Sequence, residues 1–384
     1  MKLVEHLEGE TKLLVPAASL TQEPPPTSPV FFNPAASLNR DLSVAITSAA
    51  GGKTFCDSMA GVGARGLRVA NEVAEVERVT LVDFNAQALK AARKAAGLNR
   101  VLGKCEFSCS ETSSYLFSRY GRERRFDFVD VDPFGTPVRQ LPAAIAATSD
   151  GGILSVTATD TAVLCGVYPR VSSRRYWATS LNNHFHHETG LRVLAGAVAR
   201  HAAALEVGVE TVAAHATKHY LRLYLRVNVG ASKADEALED MGFVTWCPGC
   251  GHASASGDLD ERCARCGKKA RAAGPLWLGG LTDTKVIERA SRAAVDRGLG
   301  TASGVASSLE GIDEFPPWSF SVERVCSALK VPTVSEAAVS RCLRERGYAV
   351  MRTPFEKTGI KTDAGYEEFA GAVREAARQG PRAT

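Results

Sequence analysis

Short apolar runs alternate along the first half of the chain with longer segments whose apolar residues recur at helical spacing. The apolar runs lie at 54–56, 79–82, 126–131 and 152–157, and the amphipathic segments lie at 64–75, 86–96 and 138–147. A short apolar run followed by an amphipathic helix is the repeating unit of a parallel sheet. The pattern therefore predicts an α/β domain in which helices cover both faces of a mostly parallel sheet.

Further elements flank this repeat on both sides. They are a β-hairpin at 3–7 and 12–15, helices at 39–50 and 191–204, and strands at 209–212 and 220–227. Side chains alternate between the two faces of a strand, so the last strand places its leucines on one face. These are Leu221, Leu223 and Leu225, whereas Tyr220, Arg222, Tyr224 and Arg226 share the other face. We expect the leucine face to be buried and the second face to be polar or covered by a partner.

The composition changes after Val229, where a stretch rich in Lys, Asp and Glu precedes a group of cysteines. This change predicts a first domain of residues 1–235 and a smaller C-terminal domain of residues 236–384. Two serine-capped helices at 321–330 and 335–346 and a strand at 348–352 are expected in the second domain. This order is compatible with a winged-helix-like module for nucleic acid or with a small helical packing domain. The last residues, 379–384, are predicted to be disordered.

Composition narrows the class of protein. A chain of 384 residues with 45% hydrophobic content can bury a large core, and a net charge of +4 permits a nucleic-acid partner without requiring one. No apolar run is long enough to cross a membrane, so no membrane association is predicted. Four of the ten cysteines form two Cys-x-x-Cys pairs and the others are scattered, which favours a reducing compartment and a cytoplasmic location.

A glycine-rich turn between the first strand and helix of the repeat predicts a nucleotide-cofactor site. Asp57 opens this turn, and Gly61, Gly63 and Gly66 let the backbone approach a ligand at a helix start. Asp83 ends the second strand, where a carboxylate can bind ribose hydroxyls. The glycines could also simply tighten the connection. Nicotinamide dinucleotides and S-adenosylmethionine use the same arrangement, so this half of the site leaves hydride and methyl transfer open.

The second half of the predicted site is Asp132-Pro133-Phe134, which follows the strand at 126–131. An exocyclic amine of a base is a poor nucleophile because its lone pair is delocalised into the ring. Asp132 can accept a hydrogen bond and then a proton from such an amine, a carbonyl held by Pro133 can accept the other N–H, and Phe134 can stack on the base. The residues could also form only a strand-ending turn.

Two pairs of cysteines predict a structural metal site. Cys247, Cys250, Cys263 and Cys266 have the spacing of two knuckles whose four thiolates converge on one tetrahedral ion, most simply Zn²⁺. A redox role of a pair is the alternative. Five basic residues near the second pair could meet phosphates or form a solvated face, since acidic residues adjoin them. These basic residues are Arg262, Arg265, Lys268, Lys269 and Arg271.

The chain resembles the tRNA (guanine-N2)-dimethyltransferases, which modify the guanine at position 26, between the D-arm and the anticodon arm. The resemblance covers nearly the whole length. It rests on the stretches 31–34, 38–41, 60–68, 130–137, 157–166, 187–192, 219–222, 274–277 and 359–363 together with the paired cysteines. The family's fold is a Rossmann-like class I methyltransferase domain, here joined to the smaller, zinc-containing α+β domain.

The resemblance implies roles for particular residues. Arg40, Arg65 and Asp83 are expected to contact S-adenosylmethionine, Phe32 and Phe134 to border the methyl-transfer pocket, and Asp132 to be the catalytic acceptor. Two successive methyl transfers to N2 of a guanine in tRNA are implied, giving N2-methyl- and N2,N2-dimethylguanosine. The chain departs from the family after the third strand, where Ser110-Glu111 replaces an acidic residue followed by alanine, so either Ser110 or Glu111 must take the contact near the adenine.

Two other classes of protein remain open from the sequence. A nucleotide-dependent oxidoreductase would share the glycine turn and Asp83 but gives no reason for Asp132-Pro133-Phe134. A non-catalytic nucleic-acid-binding protein could keep the fold as a scaffold. No obligate protein partner is inferred. The run at 184–187 contains three histidines but does not predict a metal site, because no Cys or carboxylate partner for it can be identified in the sequence.

Overall fold

The computed structural model describes residues 2–119, 125–217 and 219–379. The tail predicted to be disordered therefore lies outside the described residues from position 380 onward. Among the described residues, no helix is long and apolar enough to cross a membrane.

A seven-stranded sheet forms the centre of the first domain. Its spatial order is β5-β4-β3-β6-β7-β9-β8, and the first five strands are parallel, as predicted, whereas β9 runs antiparallel to both of its neighbours. The strands are β3 (Thr54–Asp57), β4 (Arg78–Asp83), β5 (Cys105–Cys109), β6 (Phe126–Val131), β7 (Thr148–Ala158), β8 (Val207–Ala216) and β9 (Leu221–Val229). Only β5 was absent from the predicted runs. It is a half-exposed edge strand whose sequence, CEFSC, is less apolar than the others.

Helices cover both faces of this sheet, and an N-terminal hairpin packs beside them. The hairpin strands are β1 (Leu3–Glu8) and β2 (Thr11–Pro16), and the helices are α1 (Ser37–Ala50), α2 (Ala64–Glu72), α3 (Ala86–Leu98), α4 (Thr112–Phe117), α5 (Leu141–Ala147), α6 (Thr161–Leu164), α7 (Pro169–Tyr176), α8 (His186–Ala203) and α9 (Ala231–Glu239). α2 ends three residues before the predicted end. α5 begins at Leu141 rather than at 138, because Pro142 suits the first turn of a helix, where no N–H donor is needed.

The later part of the chain adds a small sheet, two helices and a compact terminal module. Its elements are β10 (Met241–Trp246), β11 (Ala253–Ser256), β12 (Arg271–Trp277), α10 (Thr284–Asp296), α11 (Gly300–Ser308), α12 (Val322–Leu329), α13 (Glu336–Glu345), β13 (Val350–Arg352), β14 (Ile360–Thr362) and α14 (Tyr366–Gln379). The predicted helix, helix and strand are confirmed, and Ser321 and Ser335 cap the two helices through their hydroxyl oxygens. β13 pairs with β14 as an antiparallel hairpin.

Two hydrophobic cores organise the packing. The larger one joins the central sheet and its helices to residues of β10, β12, α10 and α11. α10 packs against α1, and Arg297 at its end donates to the carbonyl oxygen of Glu72 at 3.1 Å. The smaller core lies between Phe320 and Ala376 and belongs to the terminal module. The domain division at 235/236 stays a prediction. The larger core contains residues from both sides of this division.

Both faces of β9 are buried over residues 221–225. Its leucines are buried as predicted, but Arg222 and Tyr224 on the other face are also inside the protein, with 0% and 2% of their surface exposed. Tyr224 lies against Ser43 of α1, with its hydroxyl 3.1 Å from the Ser43 Oγ. The polar face is therefore covered by this chain itself and is not available to a partner.

A buried group of charges joins the terminal module to the first domain. Lys361 of β14 lies 2.9 Å from a carboxylate oxygen of Glu188 in α8, and Arg192, one turn further along α8, lies 3.1 Å from the same carboxylate. Lys361 also donates to the carbonyl oxygen of Pro316 at 2.7 Å, and Arg192 donates to that of Gly279 at 2.9 Å. We call Glu188, Arg192 and Lys361 the junction network.

Candidate functional site

The carboxyl ends of β3, β4 and β6 meet at one edge of the central sheet. Asp57 ends β3 and is the register partner of Asp130 on β6, and Asp83 ends β4 beside them. Ligands of parallel α/β sheets bind at this edge. Three of the predicted carboxylates, those of Asp57, Asp83 and Asp132, are therefore brought to one place.

The glycine-rich loop between β3 and α2 is shaped by hydrogen bonds to two of these carboxylates. Gly61 N–H donates to Asp83 at 2.7 Å, and Gly66 N–H donates to Asp57 at 2.9 Å. Gly63 has a φ of +77°, and a side chain there would come within 2.8 Å of the Leu81 side chain. Glycine is thus needed at position 63 for both backbone conformation and close packing.

Asp57 is an acid of this edge whose pKa is shifted upward. Burial and the neighbouring Asp130 carboxylate raise the pKa of Asp57 to about 7, against the lowering effect of Arg65 and of the hydrogen bond from Gly66. The same carboxyl accepts the hydrogen bond from Gly66 N–H at the start of α2, so its protonation and the hydrogen bonding of the loop are linked.

Asp132 is held by an ion-paired network that we call the site network: Arg65, Asp130, Asp132 and Arg222. Arg65 Nη2 lies 2.5 Å from the Asp132 carboxylate and Arg65 Nε lies 3.1 Å from Asp130. Arg222 pairs with the other oxygen of Asp130 and donates to Thr157 Oγ1 at 2.6 Å. Asp132 is 31% exposed, whereas the other three side chains are buried. The network therefore orients one carboxylate that solvent or a substrate can reach.

The sequence analysis missed Asp130 and Arg222 as parts of the site. Arg222 is an arginine in the first half of a strand whose neighbouring residues are leucines and a tyrosine, and Asp130 lies two residues before Asp132 and so on the same side of the chain. A charged residue in a strand that must be buried signals a partner charge, because an unpaired buried charge is costly. The sequence therefore indicated a partner charge for Arg222 but did not identify the partner residue.

The two phenylalanines predicted to border the methyl-transfer pocket differ in exposure and contacts. Phe134 is 70% exposed and its ring lies edge-on to Phe31 with centroids 4.9 Å apart. Phe32 is buried, and the guanidinium of Arg40 lies over its ring at 5.1 Å. Pro133, between Asp132 and Phe134, is half-buried. Phe134 thus offers an open stacking surface, whereas Phe32 is packed inside the protein and its place at the pocket stays a prediction.

Arg40, Ser110 and Glu111 have protein partners in the structure. Arg40 donates to the Glu8 carboxylate at 2.6 Å and to the Asn33 carbonyl oxygen at 3.0 Å. The Ser110 hydroxyl lies 2.9 Å from that of Ser108, near the carboxyl end of β5. Glu111 caps α4. Burial acts to raise its pKa, but hydrogen bonds from the N–H groups of the first turn outweigh burial and lower the pKa. A cofactor contact by any of the three stays a prediction.

The four paired cysteines converge at the end of the small sheet β11-β10-β12. Cys247 and Cys266 have their Sγ atoms 3.6 Å apart, as do Cys250 and Cys263, and all four sulfurs lie within 4.8 Å of one another. A tetrahedral zinc with Zn–S bonds of about 2.3 Å has sulfurs about 3.8 Å apart. The donor set and its geometry therefore fit a closed site for one such ion. We call these four residues the cysteine cluster.

The fold and the site together define a class I, Rossmann-like methyltransferase: a mostly parallel sheet, a glycine loop held by acidic strand ends, and an acid-proline-aromatic turn beside it. The family model "N2,N2-dimethylguanosine tRNA methyltransferase" matches residues 9–374. The chain belongs to that family.

Relatives agree over nearly the full length. The chain is 36% identical to a tRNA (guanine(26)-N(2))-dimethyltransferase of Methanothermobacter thermautotrophicus, covering 94% of this chain and 96% of the relative. It is 37% identical to the enzyme of the same description from Thermococcus kodakarensis, covering 97% and 100%. The solved structure of Trm1 from Pyrococcus horikoshii with S-adenosyl-L-methionine superposes with a TM-score of 0.84 at 32% identity, covering 96% of this chain and 99% of that one.

Proposed function

We infer that this protein is a tRNA (guanine(26)-N2)-dimethyltransferase, which transfers one or two methyl groups from S-adenosylmethionine to the exocyclic N2 amine of guanine 26. The observation that carries this function, beyond family membership, is the Asp132 carboxylate. It is partly exposed, oriented by Arg65, and lies at the sheet edge that also carries the glycine loop.

The residues of that edge fit S-adenosylmethionine. Gly61, Gly63 and Gly66 leave the loop backbone open to close approach, and Asp83, whose carboxylate already orients the Gly61 N–H, lies where ribose hydroxyls bind. We propose Arg40, Asp57, Arg65, Ser110 and Glu111 as further parts of this site. When bound, the cofactor supplies an electrophilic methyl group.

The roles of the chain's own residues follow from their geometry. Asp132 accepts a hydrogen bond from the exocyclic amine and receives the proton that the amine loses on methylation. Arg65, held by the buried carboxylate of Asp130, orients Asp132. The carbonyl group of Pro133 can accept the second N–H, and the exposed ring of Phe134 offers a stacking surface for a guanine flipped out of the tRNA.

We propose that the cysteine cluster binds one structural Zn²⁺. We propose also that the small sheet β11-β10-β12 and the terminal module bind the tRNA. Support comes from the four convergent sulfurs and from the exposed basic residues beside them. Among these, Arg265 is already paired with Glu367 at 2.5 Å, so Arg262, Lys268, Lys269 and Arg271 are the better candidates for phosphates. The winged-helix-like role of the terminal module is part of this proposal, as is a cytoplasmic location, where tRNA is modified.

Purified protein, unmodified tRNA transcript and labelled S-adenosylmethionine provide the test, with the product nucleosides identified by mass. We expect N2-methyl- and N2,N2-dimethylguanosine, and neither product when guanine 26 of the transcript is replaced by adenine. Cofactor binding without any methylated nucleoside would contradict the enzymatic function. Binding of a nicotinamide cofactor in its place would favour an oxidoreductase.

A further inference from the structure

A second group of metal-ligating side chains lies outside the site network and the cysteine cluster. Cys165 follows α6, and His186 and His187 begin α8. Sγ of Cys165 and one ring nitrogen of each histidine lie within 4.8 Å of one another. The chain thus brings together one thiol and two imidazoles from segments about twenty residues apart in the sequence.

Both histidines are held by acceptors in the manner of metal ligands. His186 Nδ1 lies 2.6 Å from the carbonyl oxygen of Asn183, and His187 Nδ1 lies 2.9 Å from a carboxylate oxygen of Glu356. A carbonyl or carboxylate oxygen only accepts, so each Nδ1 is the donor in its hydrogen bond. Metal-binding histidines usually donate their other ring N–H to such acceptors, which orient the ring and make it more basic.

The cluster opens on a cavity between the first domain and the terminal module. The cavity has a volume of about 770 Å³, and its lining includes His186, His187 and Glu356. Cys165 is not part of this lining and is buried, with 6% of its surface exposed. An ion can therefore enter from solvent through the histidine side, with the Cys165 sulfur on the buried side of the site.

We propose that Cys165, His186 and His187 bind a divalent zinc ion, with Glu356 orienting His187. One thiolate and two imidazoles are a donor set that Zn²⁺ prefers over Mg²⁺ or Ca²⁺. Three protein ligands leave a fourth position open to the cavity, so this ion exchanges more readily than one enclosed by four cysteines. Since Glu356 belongs to the loop between β13 and β14, the ion also ties the terminal module to the first domain.

Zinc stoichiometry of the full-length protein tests the proposal. After saturation with Zn²⁺ and removal of free metal, we expect two bound equivalents in the unaltered protein and one in Cys165→Ser, His186→Gln or His187→Gln. Cys326→Ser, at another buried cysteine, is the matched control and keeps both. Cys250→Ser should lose the other equivalent while retaining this one, which separates the two sites.

Glu356→Gln provides a graded test, because loss of such an orienting carboxylate weakens metal binding by about 10- to 100-fold. His186→Gln changes a half-exposed side chain, so it tests the site even if Cys165→Ser fails to fold. Cobalt substitution adds a spectroscopic measure: the thiolate-to-cobalt band of the weaker site should be lost in Cys165→Ser, His186→Gln and His187→Gln and kept in Cys250→Ser and Cys326→Ser. If His186→Gln and His187→Gln both bind as much zinc as the unaltered protein, these contacts are only an ion pair and the proposal is wrong.

Discussion

The site network and the junction network both consist of ion-paired acidic and basic side chains, but they differ in how far these side chains are exposed to solvent. In the site network, Asp132 remains 31% exposed, whereas in the junction network Glu188, Arg192 and Lys361 all have at most 4% of their side-chain surface exposed. Every charge of the junction is satisfied inside the protein by another charge or by carbonyl oxygens. The site network instead presents one oriented carboxylate to the outside.

This difference matches the proposal that the site network takes part in the reaction and the junction network in packing. Burial of the junction charges lowers the pKa of Lys361, against the raising effect of Glu188. Breaking such a pair leaves an uncompensated buried charge, which costs stability rather than turnover. The comparison predicts that substitutions in the two networks affect different measured quantities.

Asp132→Asn should produce the largest effect on activity. The amide keeps the size of the side chain but cannot receive the proton from the amine, so we expect turnover to fall by about 10²- to 10⁴-fold. The measurement is single-turnover methylation of tRNA together with calorimetric titration of S-adenosylmethionine. Asp258→Asn, on an exposed loop, is the control and should be indifferent. Equal loss of cofactor affinity and turnover would make Asp132 a cofactor-binding residue instead.

Glu188→Gln should reduce stability without changing turnover of the folded protein. Arg192 and Lys361 would then share a buried site without a carboxylate, which costs about 3–5 kcal/mol of unfolding free energy. Glu288→Gln is a matched control, because Glu288 pairs with Arg292 at the same helical spacing but on the surface, where such a pair contributes about 0.5 kcal/mol or less. Urea denaturation measures both. Similar small losses in the two variants would show that the junction network does not differ from a surface pair.

The sequence predicted the two networks unequally, for a physical reason. Asp132 lies in a local motif whose chemistry depends on adjacent residues, and the four cysteines have a spacing that is itself the signal. The partner of Arg222 is 92 positions away, and Glu188 and Lys361 are 173 positions apart. Which buried charges pair over such separations depends on the strand order. Hydrophobic periodicity does not predict that β9 lies antiparallel between β7 and β8.

The same limit explains the histidine run. The sequence showed three histidines without a Cys or carboxylate partner, and the fold supplies both through Cys165 and Glu356. Arg222 was expected on a polar or partner-covered face, but α1 covers that face within the chain. Strand periodicity separates the two faces of a strand, whereas only the packing of helices decides what covers each of them.

Asp57→Asn should remove a pH dependence of the unfolding free energy that arises at the carboxyl edge of the central sheet. In the unfolded chain Asp57 ionises near its ordinary pKa of 3.8, but in the folded protein its pKa is about 7. Between these values the folded state binds the extra proton, so raising the pH over this window destabilises it by up to about 1.4 kcal/mol per pH unit. Asparagine does not titrate.

The measurement compares unfolding free energies of the unaltered protein and of Asp57→Asn at pH 5 and pH 7.5. We expect the unaltered protein to lose stability relative to the variant by roughly 2–3 kcal/mol as the pH rises. Asp296→Asn, at an exposed helix end, should leave the pH dependence unchanged. A constant difference between Asp57→Asn and the unaltered protein would mean that Asp57 is already ionised at pH 5.

Phe134→Ala should have the smallest effect on activity of these substitutions. It tests the exposed ring next to Asp132, the exposed member of the site network. If the open ring stacks on the flipped guanine, its loss weakens binding by about 1–3 kcal/mol, or about 5- to 150-fold in KM for tRNA. Affinity for S-adenosylmethionine should not change, and stability should change little because the ring is 70% exposed. Phe117→Ala removes another half-exposed ring, at the end of α4, and serves as the control. An unchanged KM for tRNA would restrict base recognition to Asp132 and Pro133.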